Sequence, residues 1–220
     1  PDCWVGNTKM VKFLLAHGAN PNLQDKYGLA PIHLAIADGR TEVVWLLAHA
    51  KGANLSLADN NGYTPLHLAA RKASVRLVRY LLSRGVDASP AEADGNTPLH
   101  EVSRTDLFHP IGAHVEVARL LVAKRAKLAA QNADGETPLH EAAEFRNDAC
   151  ASSPALGKFL VLAGARPDNR DNAGRTPLHY AALEGNADLV ALLLEKGADA
   201  KAKDNNGLTP LHWFGAFATP

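Results

Sequence analysis

Apolar residues are unevenly spread along this chain; they gather into short leucine- and alanine-rich runs, each led by the same four-residue signal. The signal reads Ala30-Pro31-Ile32-His33, Thr64-Pro65-Leu66-His67, Thr97-Pro98-Leu99-His100, Thr137-Pro138-Leu139-His140, Thr176-Pro177-Leu178-His179 and Thr209-Pro210-Leu211-His212. Its prolines are 34, 33, 40, 39 and 33 residues apart. Self-similarity at such a period marks a repeat array, in which each unit buries its apolar face against its neighbours. Within a unit the pattern predicts two helices. Thr accepts a backbone N–H at a helix start, Pro at the first helical position gives up a donor that would have no partner there, and Leu or Ile opens an inward-facing stripe. A second leucine-rich helix follows and closes on segments such as Gly18-Ala19-Asn20, Gly52-Ala53-Asn54 and Gly197-Ala198-Asp199. A turn such as Asp59-Asn60-Asn61-Gly62 then leads into the next signal, its glycine supplying a positive φ.

Helix, short loop, helix and hairpin, with Thr-Pro-Leu-His recurring at this period, resemble the ankyrin repeat, and the resemblance covers essentially the whole chain. It implies an all-α solenoid of stacked helix pairs joined by β-hairpin turns. About five full repeats between incomplete flanking halves are expected to form one domain over residues 1–220. The chain opens on a second helix, around Met10-Val11-Lys12-Phe13-Leu14-Leu15, and ends on a first helix after Thr209. Further covalently linked repeats or domains are therefore expected. Trp213, Phe214 and Phe217 strengthen that expectation: three aromatics left in water would forfeit on the order of 10 kcal/mol.

Two departures from the period stand out. The repeats beginning at Thr97 and Thr137 carry insertions at about 103–114 and 145–154, between their two helices. They are in register on consecutive repeats, and the apolar Leu107, Phe108 and Ile111 mark a possible second binding surface there. A third departure places Arg125 where the other repeats end their second helix on glycine, at a cost of up to about 1 kcal/mol.

Composition narrows the function. Lys plus Arg and Asp plus Glu number 23 each, so no net charge favours nucleic acid or an anionic membrane. No apolar run reaches the length of a membrane span, so membrane insertion is not expected. Cys3 and Cys150 are far apart in the array, which fits a reducing compartment: cytoplasm, nucleus, or host cytosol for a secreted effector. Six of the ten histidines belong to the repeated signal, where the resemblance implies hydrogen bonds to the signal Thr and to loop backbone. His109, His114 and Cys150 match no zinc spacing. The turn Asp171-Asn172-Ala173-Gly174 belongs to a stretch lacking the oxygen ligands of a calcium loop. Phosphate-cradling, nucleophile-elbow and metalloprotease motifs are missing as well. The reading is therefore non-enzymatic, with no cofactor and no metal.

What remains is surface. In proteins with this repeat, partners usually meet the hairpin tips and the exposed side of the first helix, which line the concave face. Carried over by position, the expected contacts are Tyr27 and Leu29; Tyr63, Arg71 and Lys72; Asn96 and Arg104; Glu136, Glu144 and Phe145; Arg175, Tyr180 and Leu183; and Trp213. These positions vary from repeat to repeat while the framework Pro, Leu, Ala and Gly recur. Aromatic and Arg residues are the types that anchor interfaces. The expected function is a protein or peptide binding module of adaptor, scaffold or effector type. The alternative is a regulatory or substrate-positioning segment of a larger enzyme, channel or receptor.

Overall fold

The computed structural model describes residues 6–103, 111–144 and 154–216. In chain order these form α1 (Gly6–Ala16); the pairs α2 (Pro31–Ala37) and α3 (Thr41–Ala48), α4 (Pro65–Arg71) and α5 (Val75–Ser83), α6 (Pro98–Ser103) and α7 (Ile111–Ala123), α8 (Pro138–Ala143) and α9 (Pro154–Leu162), α10 (Pro177–Leu183) and α11 (Ala187–Glu195); and finally α12 (Pro210–Ala216). The first helices α2, α4, α6, α8, α10 and α12 stack in one layer, and the second helices α1, α3, α5, α7, α9 and α11 form the other. No strand is present among the described residues. Each hairpin is a tight turn closed across its base, as where the Asp59 N–H donates to Tyr63 O at 2.9 Å.

Between the layers runs a contiguous apolar core. Leu66, Leu99 and Leu139 of the first helices and Leu81, Leu121, Leu160 and Leu193 of the second are fully buried. These are the residues that the helical period placed inward. Truncating one to Ala would cost about 2–5 kcal/mol.

The repeated signal builds the junctions between units. In each of five signals the Thr N–H donates to Nδ1 of the His three residues on, at 3.0–3.2 Å. With Nδ1 accepting, the ring proton resides on Nε2, which lies 3.2 Å from Asn96 O for His67, 3.1 Å from Glu136 O for His100 and 3.2 Å from Arg175 O for His140. Each of those carbonyls belongs to the next repeat. The histidine therefore fixes its own helix start and staples it to the following hairpin. His33 does the same to Leu57 O and Tyr63 O, although Ala30 offers it no hydroxyl. Burial depresses the pKa of His67, His140 and His179 and keeps these rings neutral.

The hairpin tips are tied in sequence. The Asn60 N–H donates to Tyr27 O, Ala93 to Asn61 O, Ala133 to Asp94 O, Asn172 to Asp134 O and Asn205 to Ala173 O, all at 2.6–3.0 Å. At Gly135 the contact is too close for any side chain: an added Cβ would lie 2.7 Å from the Asn172 backbone nitrogen. These ties hold the tips in a row along one edge of the array.

The outer layer is less regular. Neighbouring second helices pack closely at α1 and α3, α5 and α7, α7 and α9, and α9 and α11, whereas α3 and α5 are spaced further apart. Their rings bridge the interval, Trp45 meeting Tyr80 edge-to-face at 5.1 Å.

Candidate functional site

Two positions in each repeat face one another along the first-helix side. One precedes the signal Thr, at the base of the hairpin: Leu29, Tyr63, Asn96, Glu136, Arg175 and Leu208. The other follows the signal His: Leu34, Leu68, Glu101, Glu141, Tyr180 and Trp213. The acid at the start of each hairpin supports the first set. Asp59 Oδ1 accepts from the N–H groups of Asn61 and Tyr63, and Asp171 Oδ1 from those of Ala173 and Arg175. In the two central repeats Glu92 and Asn132 take that role.

Three clusters result. In the first, Arg71 at the end of α4 sets its Nε 3.3 Å from Glu101 Oε2, with its guanidinium 5.0 Å from the centre of the Tyr63 ring. Glu101 is 1 % exposed, so its charge depends on this neighbourhood.

The second cluster is amide and carboxylate. Asn96 Nδ2 donates to Glu92 Oε1 at 2.7 Å, and Asn132 Nδ2 reaches Asn96 Oδ1 at 3.1 Å and Glu141 Oε1 at 3.4 Å. Burial pushes the Glu92 carboxyl up, but hydrogen bonds from Asp94 and Asn96 outweigh it and hold the group below the usual carboxylate range.

Tyr180 is the hub of the third. Its hydroxyl lies 2.6 Å from Glu136 Oε1 and 2.9 Å from Asp171 Oδ2. The Arg175 guanidinium pairs with Asp171, sits 3.6 Å from Glu136 and stacks 5.0 Å from the Tyr180 ring. Burial, then the two carboxylates, push the phenol pKa far up, so Tyr180 stays protonated. Trp213 covers the far side, 5.8 Å from Tyr180, and donates its indole N–H to Asp204 Oδ2 at 3.2 Å.

The carried-over positions thus divide. Tyr27 stands out at a hairpin tip, 58 % exposed, with the Lys26 ammonium 4.8 Å from its ring centre. Leu29, Tyr63, Arg71, Lys72, Glu136, Glu144, Arg175, Leu183 and Trp213 are half-buried and line the face. Asn96 and Tyr180, at 2 % and 3 % exposure, lie beneath it as supports. Arg104, Leu107, Phe108 and Phe145 fall outside the described residues, and Ile111 is described only as the first residue of α7. At the last helix, Trp213 is absorbed into the network, while Leu211 and Phe214 are exposed and Phe217 lies outside the described residues.

The members that sequence reasoning missed as functional are Glu92, Asn132, Asp171 and Asp204. The signal was there, since each opens a hairpin turn, but a turn residue shows its second set of partners only once repeats are stacked. Among the described residues no group of three His, Cys, Asp or Glu side chains could hold a metal ion, and no helix is long and apolar enough to cross a membrane.

The helix pairs, the histidine staples and this ladder of facing positions define a stacked-repeat array. The chain belongs to the ankyrin-repeat family: it matches ankyrin repeats in three-copy form over residues 3–90 and 148–214, and in many-copy form over 107–152. It is similar to human Rabankyrin-5, 31 % identical over 194 residues, which is 87 % of this chain and 14 % of that protein. The chain therefore spans about one-seventh of the length of that relative. Ankyrin repeats are generally protein–protein interaction modules and are typically non-enzymatic.

Proposed function

We propose that this array is an adaptor or scaffold module that binds a protein or peptide in extended contact along its first-helix and hairpin face. The observation that carries the reading is the row of three side-chain clusters along the face, around Tyr63 and Arg71, around Glu92, Asn96 and Asn132, and around Arg175, Tyr180 and Trp213. A face held this way loses little conformational freedom on binding, so contact energy is retained as affinity. Its charge favours a partner segment of mixed sign: carboxylates of Glu92, Asp94, Glu101, Glu136 and Glu141 lie in the middle, and the arginines Arg71 and Arg175 sit toward either side. The partner contacts are Tyr27, Leu29, Lys72, Glu144 and Leu183 directly, with Tyr63, Arg71, Glu136, Arg175 and Trp213 presented by the network.

The test is affinity capture with the intact array against Tyr27→Ala, Lys72→Glu and Leu183→Ser, side chains whose loss leaves the buried network in place. Partner retention should fall in at least one of them at unchanged melting temperature. Full retention in all three would overturn the reading. A second reading, that the array is a regulatory segment of a much larger protein, is favoured by the small share of Rabankyrin-5 that it spans. Deleting the loop containing Leu107 and Phe108 tests whether the insertions form a second surface.

A further inference from the structure

The wider interval between α3 and α5 leaves a pocket of about 270 Å³, lined by α2, α3, α5 and the loops that join the helices of each pair. Its floor is apolar: Ile36 of α2, Val44 of α3 and Leu77 of α5 are each at most 5 % exposed. Trp45 forms one wall. Gly39 stands at the mouth, where an added Cβ would meet nothing within 4 Å, so the pocket opens to solvent. Small-molecule and cofactor sites usually occupy about 300–1,000 Å³. This volume instead suits one or two side chains of a peptide.

The rim is cationic. Arg76 is held with its guanidinium 4.5 Å from the centre of the Trp45 ring, and Lys72 lines the same pocket. The nearby Asp38 pairs with Arg40 at 2.9 Å. Arg76 also differs from Arg79, Arg119 and Lys158 of its layer. Arg79 and Arg119 both pair with Glu116, and Lys158 with Asp188, so those charges are compensated inside the chain. Arg76 has the indole and no carboxylate among the described residues. A guanidinium stacked on an indole keeps its donor edge available for an incoming carboxylate.

We infer that this pocket is a second docking site, which takes an apolar side chain of a partner peptide flanked by Asp or Glu. The apolar side chain enters over Ile36, Val44 and Leu77, and the neighbouring carboxylate meets Arg76. The site borders the first-helix face, with Lys72 shared between the two.

The test is a selection from a displayed library of random short peptides on the intact protein, repeated on Arg76→Glu and on Thr41→Trp, which places an indole at the pocket mouth. Both substituted positions are exposed, and melting curves establish that each variant folds. The expected result is a set of peptides pairing Asp or Glu with Leu, Ile, Val or Phe. Their affinity should fall about tenfold or more on Arg76→Glu, and they should shift the Trp45 indole N–H resonance. The inference is overturned if no selected peptide depends on Arg76, if the dependent peptides lack an acidic residue, or if they shift Trp213 rather than Trp45.

Discussion

The phenol of Tyr180, on α10, donates to Glu136 in the preceding repeat's hairpin base at 2.6 Å, and so couples two neighbouring units through one buried proton. A phenol has a single proton to give, yet Asp171 Oδ2 is also 2.9 Å away, and the Arg175 guanidinium balances the two carboxylates. Tyr180→Phe should lower stability by about 1.5–3 kcal/mol, the worth of a hydrogen bond to a charged group. Tyr180→Ala should cost about 3–5 kcal/mol because it also opens a cavity. Urea unfolding measures both. Loss of partner binding in Tyr180→Ala would therefore report a weakened array as well as a lost contact, whereas Tyr27→Ala separates the two.

Arg71 and Glu101 make a second inter-repeat tie, with Glu101 buried and the arginine side chain 39 % exposed. Arg71→Met should destabilise by about 1–3 kcal/mol, less than for a wholly buried pair because water reaches the arginine. Adding Glu101→Gln removes the charge that Arg71 compensated and should recover part of that loss. A double-mutant cycle with no coupling would show that the pair is incidental.

Ala73 and Arg125 adopt φ of 46° and 63°, left-handed values that the corresponding loops meet with glycine, as at Gly39, Gly85 and Gly164. The left-handed conformation costs an L residue about 1–2 kcal/mol, and glycine returns about 0.4–1 kcal/mol of that as unfolded-state entropy. Ala73→Gly and Arg125→Gly should each stabilise the array by about 0.5–1 kcal/mol, or raise Tm by about 1–4 °C. Unchanged or lower midpoints would contradict this account.

The neutral histidines impose a pH dependence. In the unfolded chain His67, His140 and His179 titrate near their ordinary pKa of about 6.5, while burial lowers that value in the fold. Above pH 6.5 neither state binds these protons and the contribution is flat. As pH falls below 6.5, the unfolded state takes up protons that the folded state refuses, so stability falls. The urea midpoint at pH 5.5 should lie below that at pH 7.5. Glu92 and Asp204, whose folded pKa values are lowered, act with the same sign in a lower window: their contribution is lost as pH falls through the carboxylate range.

The sequence by itself determined the repeat. Proline at a helix start, an inward leucine, a histidine three residues after Thr and glycine at a turn are local requirements, met within a few residues of chain, so period and helix pairing could be read from one copy and checked against the next. It also indicated which positions vary. Only the tertiary structure decided what those positions do, because their partners come from neighbouring repeats. Tyr180 and Asn96 read as exposed contacts, but Arg175, Asp171 and Trp213 enclose the first, and Glu92 with Asn132 enclose the second. The pocket beside Arg76 was illegible for the same reason: its lining joins α2 and α3 of one repeat to Lys72, Arg76 and Leu77 of the next. Local chemistry specifies each unit, while the geometry of stacking specifies each surface.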